Sequence, residues 1–353
     1  MYSLAPDKSR FISPVGYSVL LPMVAEACGD EFKSEMISEL SLGEPSFEDF
    51  REAVSIMLSS LPALDIGTEV SFANMALAVD AEQEVYPKEV RDNLEIYYNA
   101  LVAEGKRSDG FLDAVSEWIK KHTLGRITER LNVAGIVYMN SALAFQASLN
   151  PGFNPKLTVE RNFNGREGKP VLIPMMHALY PVPYLQTESY DAIKLFLGEQ
   201  KKFSFTAILP QAGTEIAQVL SELENNGIPE KWQQDNLVNI SLPKINLRGG
   251  LPLTLFNEKL AGIVDERFSA YKYNPDEKIG VVQTGHVIMD ESGFMGAGKS
   301  VMDILDYADS PSDGAESTTI TFNADRPFIF TVMVEGTGIA LYTGLYCNQG
   351  FDN

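Results

Sequence analysis

The sequence predicts a single α+β domain, because helical spacing dominates its first half, strand-like runs dominate its second, and no linker-like tract divides them. Helices first and strands later argue against a doubly wound sheet, in which the two alternate. The chain has 353 residues, 45% hydrophobic and 10% aromatic, enough for a large core without disulfide or metal staples.

The first apolar run, Phe11 to Cys28, could pass for a secretory leader. It carries Ser13, Pro14, Gly16, Ser18 and Pro22 and has no clear small-residue cleavage site, so it reads as a buried helix. Phe32 to Leu42 and Phe47 to Leu61 place apolar residues three and four apart, and Ser46 with Glu48 and Asp49 suits a helix start. Val70 to Val79 is too apolar to alternate, which suits a strand covered on both faces. Tyr86 to Tyr98 returns to helical spacing, Asp113 to Leu131 is an amphipathic helix with Gly125 near its end, and Val137 to Phe145 is a strand. The second half reads as strands over Pro170 to Pro174, Ala192 to Phe196, Phe203 to Leu209, Val238 to Ile245, Val281 to Met289, Ser317 to Phe322, Phe328 to Val334 and Gly338 to Tyr346. Helical patches at Glu215 to Asn225 and Leu253 to Val264 interrupt them.

Composition narrows the function. Forty-eight acidic against 28 basic residues give a net charge of −20, which repels phosphate backbones and anionic lipid headgroups, so neither nucleic acid nor a membrane surface is an expected partner. Two cysteines, Cys28 and Cys347, make no disulfide framework and point to a reducing, cytoplasmic setting. The three histidines, His122, His177 and His286, form no HExxH motif and sit at no ligand spacing with cysteine. No metal, cofactor or catalytic triad is expected.

Between two strands lies Gly293 to Glu316, glycine-rich at its start and rich in acids and serines at its end. A loop above about 12–15 residues in a compact domain is usually functional or disordered. Its first eight residues, Gly293 to Ser300, satisfy G-x-x-x-x-G-K-[ST], a phosphate-cradling pattern with Lys299 as its cation. Asp290 and Glu291 would set negative charge beside those phosphates, and the 53 residues after Ser300 leave little room for a second metal-binding acid and a parallel sheet. A nucleotide site at 293–300 is the remote alternative.

Several short stretches occur in an informative order: Phe11-Ile12-Ser13-Pro14, Phe72-Ala73-Asn74, then Trp118, Thr123, Gly125 and Ile127 in a W-x4-T-x-G-x-I pattern, Met139-Asn140-Ser141-Ala142, Pro174-Met175-Met176 and Ile208-Leu209-Pro210. Leu242-Pro243-Lys244, Glu291-Ser292-Gly293, Phe322 to Phe328 (FNADRPF) and Leu341-Tyr342-Thr343-Gly344 follow. No one tetrapeptide is specific, but the ordered set resembles the serpins over nearly the whole chain. The resemblance implies one domain over 1–353, with three β-sheets, about eight or nine helices and an exposed reactive loop at about 291–321. It further implies an inhibitor, not an enzyme: a protease cleaves the loop, is held as an acyl-enzyme, and is distorted when the loop inserts as an extra strand of the central sheet. A non-inhibitory serpin with a binding or chaperone role is the alternative.

The same resemblance assigns Glu291, Ser292, Gly293, Phe294, Gly296, Gly298 and Ser300 to the hinge of that loop. Alternation puts Phe294, Gly296, Gly298 and Ser300 on the inward side, where small residues are wanted, so the Phe294 ring is expected to slow insertion. Each glycine adds roughly 0.5–1 kcal/mol of backbone entropy cost relative to alanine. Ser13, Asn140 and Gln283 take the shutter positions, Gln283 standing where the family has histidine. The family's sheet-top tryptophan is replaced near Ser148 or Leu149, and most of helix A is missing. Counting forward from the hinge puts the reactive bond at Tyr307-Ala308, whereas counting back from Phe322 gives Asp313-Gly314. The forward count is preferred because insertion fixes the hinge-side length, and it implies a serine protease of the chymotrypsin or cathepsin G type as the partner; the chain is expected to be a monomer.

Overall fold

The computed structural model describes residues 9–40, 45–125, 127, 128, 130–133, 135–165, 170–253, 258–269, 281–295 and 319–347. Two sheets organise it. The six-stranded sheet contains β2 (Thr68–Val79), β3 (Leu101–Gly105), β4 (Val137–Ser148), β10 (Ile245–Leu253), β11 (Val281–Asp290) and β12 (Gly293–Met295), in the order β10-β11-β12-β4-β2-β3. β2 and β4 form its long antiparallel centre, eleven residue pairs from Thr68↔Ala147 to Ala78↔Val137. Their apolar, hardly alternating sequences follow from burial on both faces: Ala76 and Ala78 belong to one core and Met75, Leu77 and Val79 to another.

The nine-stranded sheet contains β1 (Arg10–Ile12), β5 (Val159–Asn164), β6 (Pro170–Gln186), β7 (Tyr190–Leu197), β8 (Phe203–Pro210), β9 (Gln233–Pro243), β13 (Ile320–Asn323), β14 (Phe328–Val334) and β15 (Ala340–Tyr346). It has two wings joined through the 17-residue β6, which pairs with β5 and β9 along most of its length and with β7 at its end. The three sheets expected are thus these two wings and the six-stranded sheet.

Seven α-helices lie among the described residues: α1 (Pro14–Cys28), α2 (Asp30–Glu39), α3 (Phe47–Ser60), α4 (Lys88–Tyr98), α5 (Phe111–His122), α6 (Ile216–Asn226) and α7 (Glu258–Arg267). The count is close to the eight or nine expected. α1 is buried nearly throughout, which explains its all-round apolar sequence, and Ser13 caps it by accepting a hydrogen bond from the Gly16 N–H at 3.1 Å. Ser46 and Asp49 close a reciprocal capping box on α3. α5 covers the outer face of β2 and β4 with Leu112, Val115 and Ile119.

Some boundaries differ from the sequence reading. α5 stops at His122, not Leu131, because Thr123 turns its N–H and hydroxyl onto the Ile119 carbonyl and Leu124 and Gly125 follow in the left-handed region. β6, expected over Pro170 to Pro174, runs on to Gln186 through Pro181 and Pro183. The expected strand Val238 to Ile245 is two strands, with Lys244 carrying the chain from β9 in one sheet to β10 in the other. β1, β3, β5 and β12 are too short or too polar to show an alternation.

Candidate functional site

The six-stranded sheet has an unusual centre. After β11, a tight turn reverses the chain: Asp290 accepts hydrogen bonds from the Ser292 N–H at 2.9 Å and its hydroxyl at 2.6 Å. The returning segment, β12, enters the gap between β11 and β4. It pairs antiparallel with β11 (Asp290↔Gly293, Met289↔Phe294, Ile288↔Met295) and antiparallel with β4 (Gly293↔Ser148, Phe294↔Ala147). β4 and β11 therefore run in the same direction and leave a slot that an antiparallel strand fits. Gly293 to Met295, the first three residues of the long loop, lie between them.

Side chains fasten this entry. Phe294 is 1% exposed and its ring packs against Phe145 (5.9 Å between centroids), Phe205 (6.3 Å) and Tyr342 (5.6 Å). The ring faces inward, as alternation requires, but it meets an aromatic socket contributed by both sheets. Gly293 lies so close to β4 that a Cβ there would sit 2.2 Å from the Ala147 carbonyl oxygen and 2.8 Å from the Ser148 Cα. The sheet-top tryptophan of the family would fall at this approach; here Ser148 faces Gly293 and Leu149 is buried, its N–H on the Ser292 carbonyl at 2.9 Å.

Glu291 ties the turn to the rest of the molecule. Although only 6% exposed, its carboxylate accepts from Thr158 at 2.6 Å and from the Lys244 ammonium at 2.8 Å. Burial alone would raise its pKa, but hydrogen bonds from Lys244 and Thr158, reinforced by the Lys244 charge, outweigh burial and hold the carboxyl below the usual glutamate range. The Glu291 carbonyl also accepts from the Phe153 N–H at 2.9 Å. Lys244, the residue at which the chain changes sheets, thus also clamps the hinge.

Of the three shutter positions, the side chains of Ser13 and Asn140 are described. Inner-face residues of β4 are Met139, Leu143, Phe145 and Ala147, while Tyr138 and Ala142 pack toward α5. That alternation puts Asn140 on the α5 side and Ser141 on the inner side. Ser13 is engaged in capping α1. Gln283 stands opposite Leu251 in β11, and its side chain lies outside the described residues. Ser141 and its register partner Asn74 form a polar pair to which sequence alone assigns no role, although both belong to the family-like motifs Met139-Asn140-Ser141-Ala142 and Phe72-Ala73-Asn74.

Gly296, Gly298, Lys299, Ser300, Tyr307, Ala308, Asp313 and Gly314 lie outside the described residues. Three residues of the phosphate-loop pattern, Gly293 to Met295, form a strand wedged inside a sheet, where a phosphate cradle would need an open loop. His122 stacks on Trp118, and His177 bonds Ser241 through Nδ1 at 2.8 Å. No cluster of three His, Cys, Asp or Glu side chains able to hold a metal occurs among the described residues.

A family model described as Serpin (serine protease inhibitor) matches residues 1–349. The chain belongs to the serpin family. Corticosteroid-binding globulin of Sus scrofa is 24% identical, covering 98% of this chain and 86% of its own length. Serpin-Z4 of Arabidopsis thaliana is 25% identical, with 97% and 92% covered. Among solved structures, human glycosylated kallistatin superimposes with a TM-score of 0.76 at 18% identity, over 99% of this serpin and 94% of kallistatin. Metastability and conformational change are typical of this fold.

Proposed function

We propose that this serpin inhibits a serine protease of the chymotrypsin or cathepsin G type by suicide cleavage at Tyr307-Ala308, without being an enzyme itself. The observation that carries the reading is β12, seated antiparallel to both β4 and β11. Extension of that strand adds two rows of main-chain hydrogen bonds, a favourable step once cleavage frees the loop's far end. In the reaction the protease serine oxygen attacks the Tyr307 carbonyl carbon, the bond to Ala308 breaks, and the Ala308 nitrogen leaves as an amine carrying the proton. The ester that remains is dragged along as the strand extends. Small residues at Gly296, Gly298 and Ser300 support continued entry behind Phe294. The free thiols Cys28 and Cys347 support a cytoplasmic setting. Mixing with chymotrypsin or cathepsin G tests this: an SDS-stable complex that Tyr307→Asp abolishes is expected, and cleaved protein without complex overturns it. A complex formed instead with an enzyme cleaving after aspartate moves the reactive bond to Asp313-Gly314.

A second reading, a non-inhibitory carrier, is favoured by one feature. An apolar cavity of about 470 Å³ lies between α6 and the β1-β15-β14 edge, lined by Phe11, Ile12, Leu220, Leu223 and Ile329 with Arg10 at its side. The relative from Sus scrofa is named for binding corticosteroid. Steroid titration followed by the fluorescence of Trp232, which packs with the α6 core, tests it; no saturable change at micromolar steroid removes this reading.

A further inference from the structure

Two buried polar groups in the centre of the six-stranded sheet are left unmatched. Asn74 of β2 and Ser141 of β4 are directly opposed in register and are 1% and 4% exposed. Both are on the inner face, Asn74 between Phe72 and Ala76, Ser141 between Met139 and Leu143. The Asn74 amide is fixed: Nδ2 donates to the Tyr98 carbonyl at 2.7 Å, and since a carbonyl only accepts, the amide cannot be turned over. Its Oδ1 then has no donor, and the Ser141 hydroxyl has no partner, among the described residues. Buried polar atoms are nearly always paired, so two orphans facing each other across one ladder are a specific observation.

We propose that Asn74 and Ser141 are a latent hydrogen-bonded pair, unmade in the present pairing of β2 with β4 and made when β12 is extended along β4. Opposed inner-face Cβ atoms lie about 4.5–5.5 Å apart, so a serine rotation and a small shift of β4 against β2 bring the hydroxyl onto Oδ1. β4 is the strand whose other edge carries β12, so a strand growing along that edge acts on the same element. The inference rests on the insertion reading above and adds to it the atoms at which part of the strain is stored. Completing the bond requires no proton transfer: the serine O–H donates and the amide oxygen accepts.

The test is thermal unfolding of intact and loop-cleaved protein, for wild type, Ser141→Ala and the volume-matched Ser141→Cys. Removing the unmatched hydroxyl should raise the midpoint of the intact protein by about 2–6 °C. In the cleaved protein the same substitutions remove a made bond, so the midpoint should fall and the gain on cleavage should shrink from both sides. Equal shifts of intact and cleaved forms, or a fall in the intact midpoint of both variants as expected if a buried water already bridges the pair, overturn the proposal. Failure of the insertion reading appears separately, as wild-type protein that gains no stability on cleavage.

Discussion

Replacing Phe294 with alanine isolates what holds the loop's first residues in the sheet. Truncating a fully buried phenylalanine costs about 3–5 kcal/mol, and contacts with Phe145, Phe205 and Tyr342 are the kind that contribute about 0.5–1.5 kcal/mol each within that sum. What remains is a three-residue strand paired at three positions with β11 and two with β4. Main-chain bonds of this kind add only about 0.5–1.5 kcal/mol each, and ordering the segment offsets much of that. The loss therefore falls mainly on local opening of the hinge. At a factor of ten per about 1.4 kcal/mol, the open fraction should rise by roughly 10²-fold to a few thousandfold. Native-state hydrogen exchange, read by mass spectrometry on peptides covering 288–296 and 144–149, measures this directly. Exchange there should accelerate at least a hundredfold while β14 and β15 keep their protection. Unchanged exchange at the hinge would refute the argument that the ring anchors it; an equal acceleration everywhere would show that Phe294 supports the global fold instead.

Gly293→Ala should open the same hinge by a different route, because the added methyl meets the β4 backbone at Ala147, which cannot step aside as a side chain could; a local cost of about 1–3 kcal/mol and faster exchange at 145–149 are expected, and unchanged exchange would contradict the close approach. Glu291 makes the hinge acid-sensitive: its folded pKa is depressed, so its contribution is complete above the unfolded value of about 4.3 and is lost as pH falls through the folded one. Hinge exchange, corrected for its intrinsic pH dependence, should be flat from pH 5 to 8 and rise below about 4.3, and Glu291→Gln should remove that rise; a transition near neutrality would sink the assignment. Burial pushes the Cys28 thiol up to about 12, so a disulfide reagent at pH 8 should label it only after unfolding; prompt labelling of folded protein would show that α1 is more open than its packing implies.

Much of the architecture was legible because it follows from local rules. α3 is announced by Ser46 and Asp49, which form the box that starts it. The all-apolar β2 and α1 are what two-sided burial demands. Local rules fail where a distant partner decides. Lys244 looks like part of one strand, and nothing nearby in the sequence shows that it is the corner between two sheets. β12 is three residues with no alternation of its own; it is a strand because β4 and β11 offer it hydrogen-bonding edges on both sides.

The candidate site divides in the same way. The sequence alone determined the family, through motifs spread along the chain, and it predicts a hinge at Glu291-Ser292-Gly293 before a long loop. It also predicts the inward facing of Phe294, since a strand's two-residue period is local. What lies beneath an inward residue is not local. Phe294 reads as an obstacle from its size, and only the tertiary structure showed that Phe145, Phe205 and Tyr342, from three separate strands, surround it with a socket. Likewise Asn74 and Ser141 are ordinary polar residues until β2 and β4 pair in register and bury them face to face. Side-chain size and polarity are properties of the sequence; whether they stabilise or strain depends on the distant groups that folding brings against them.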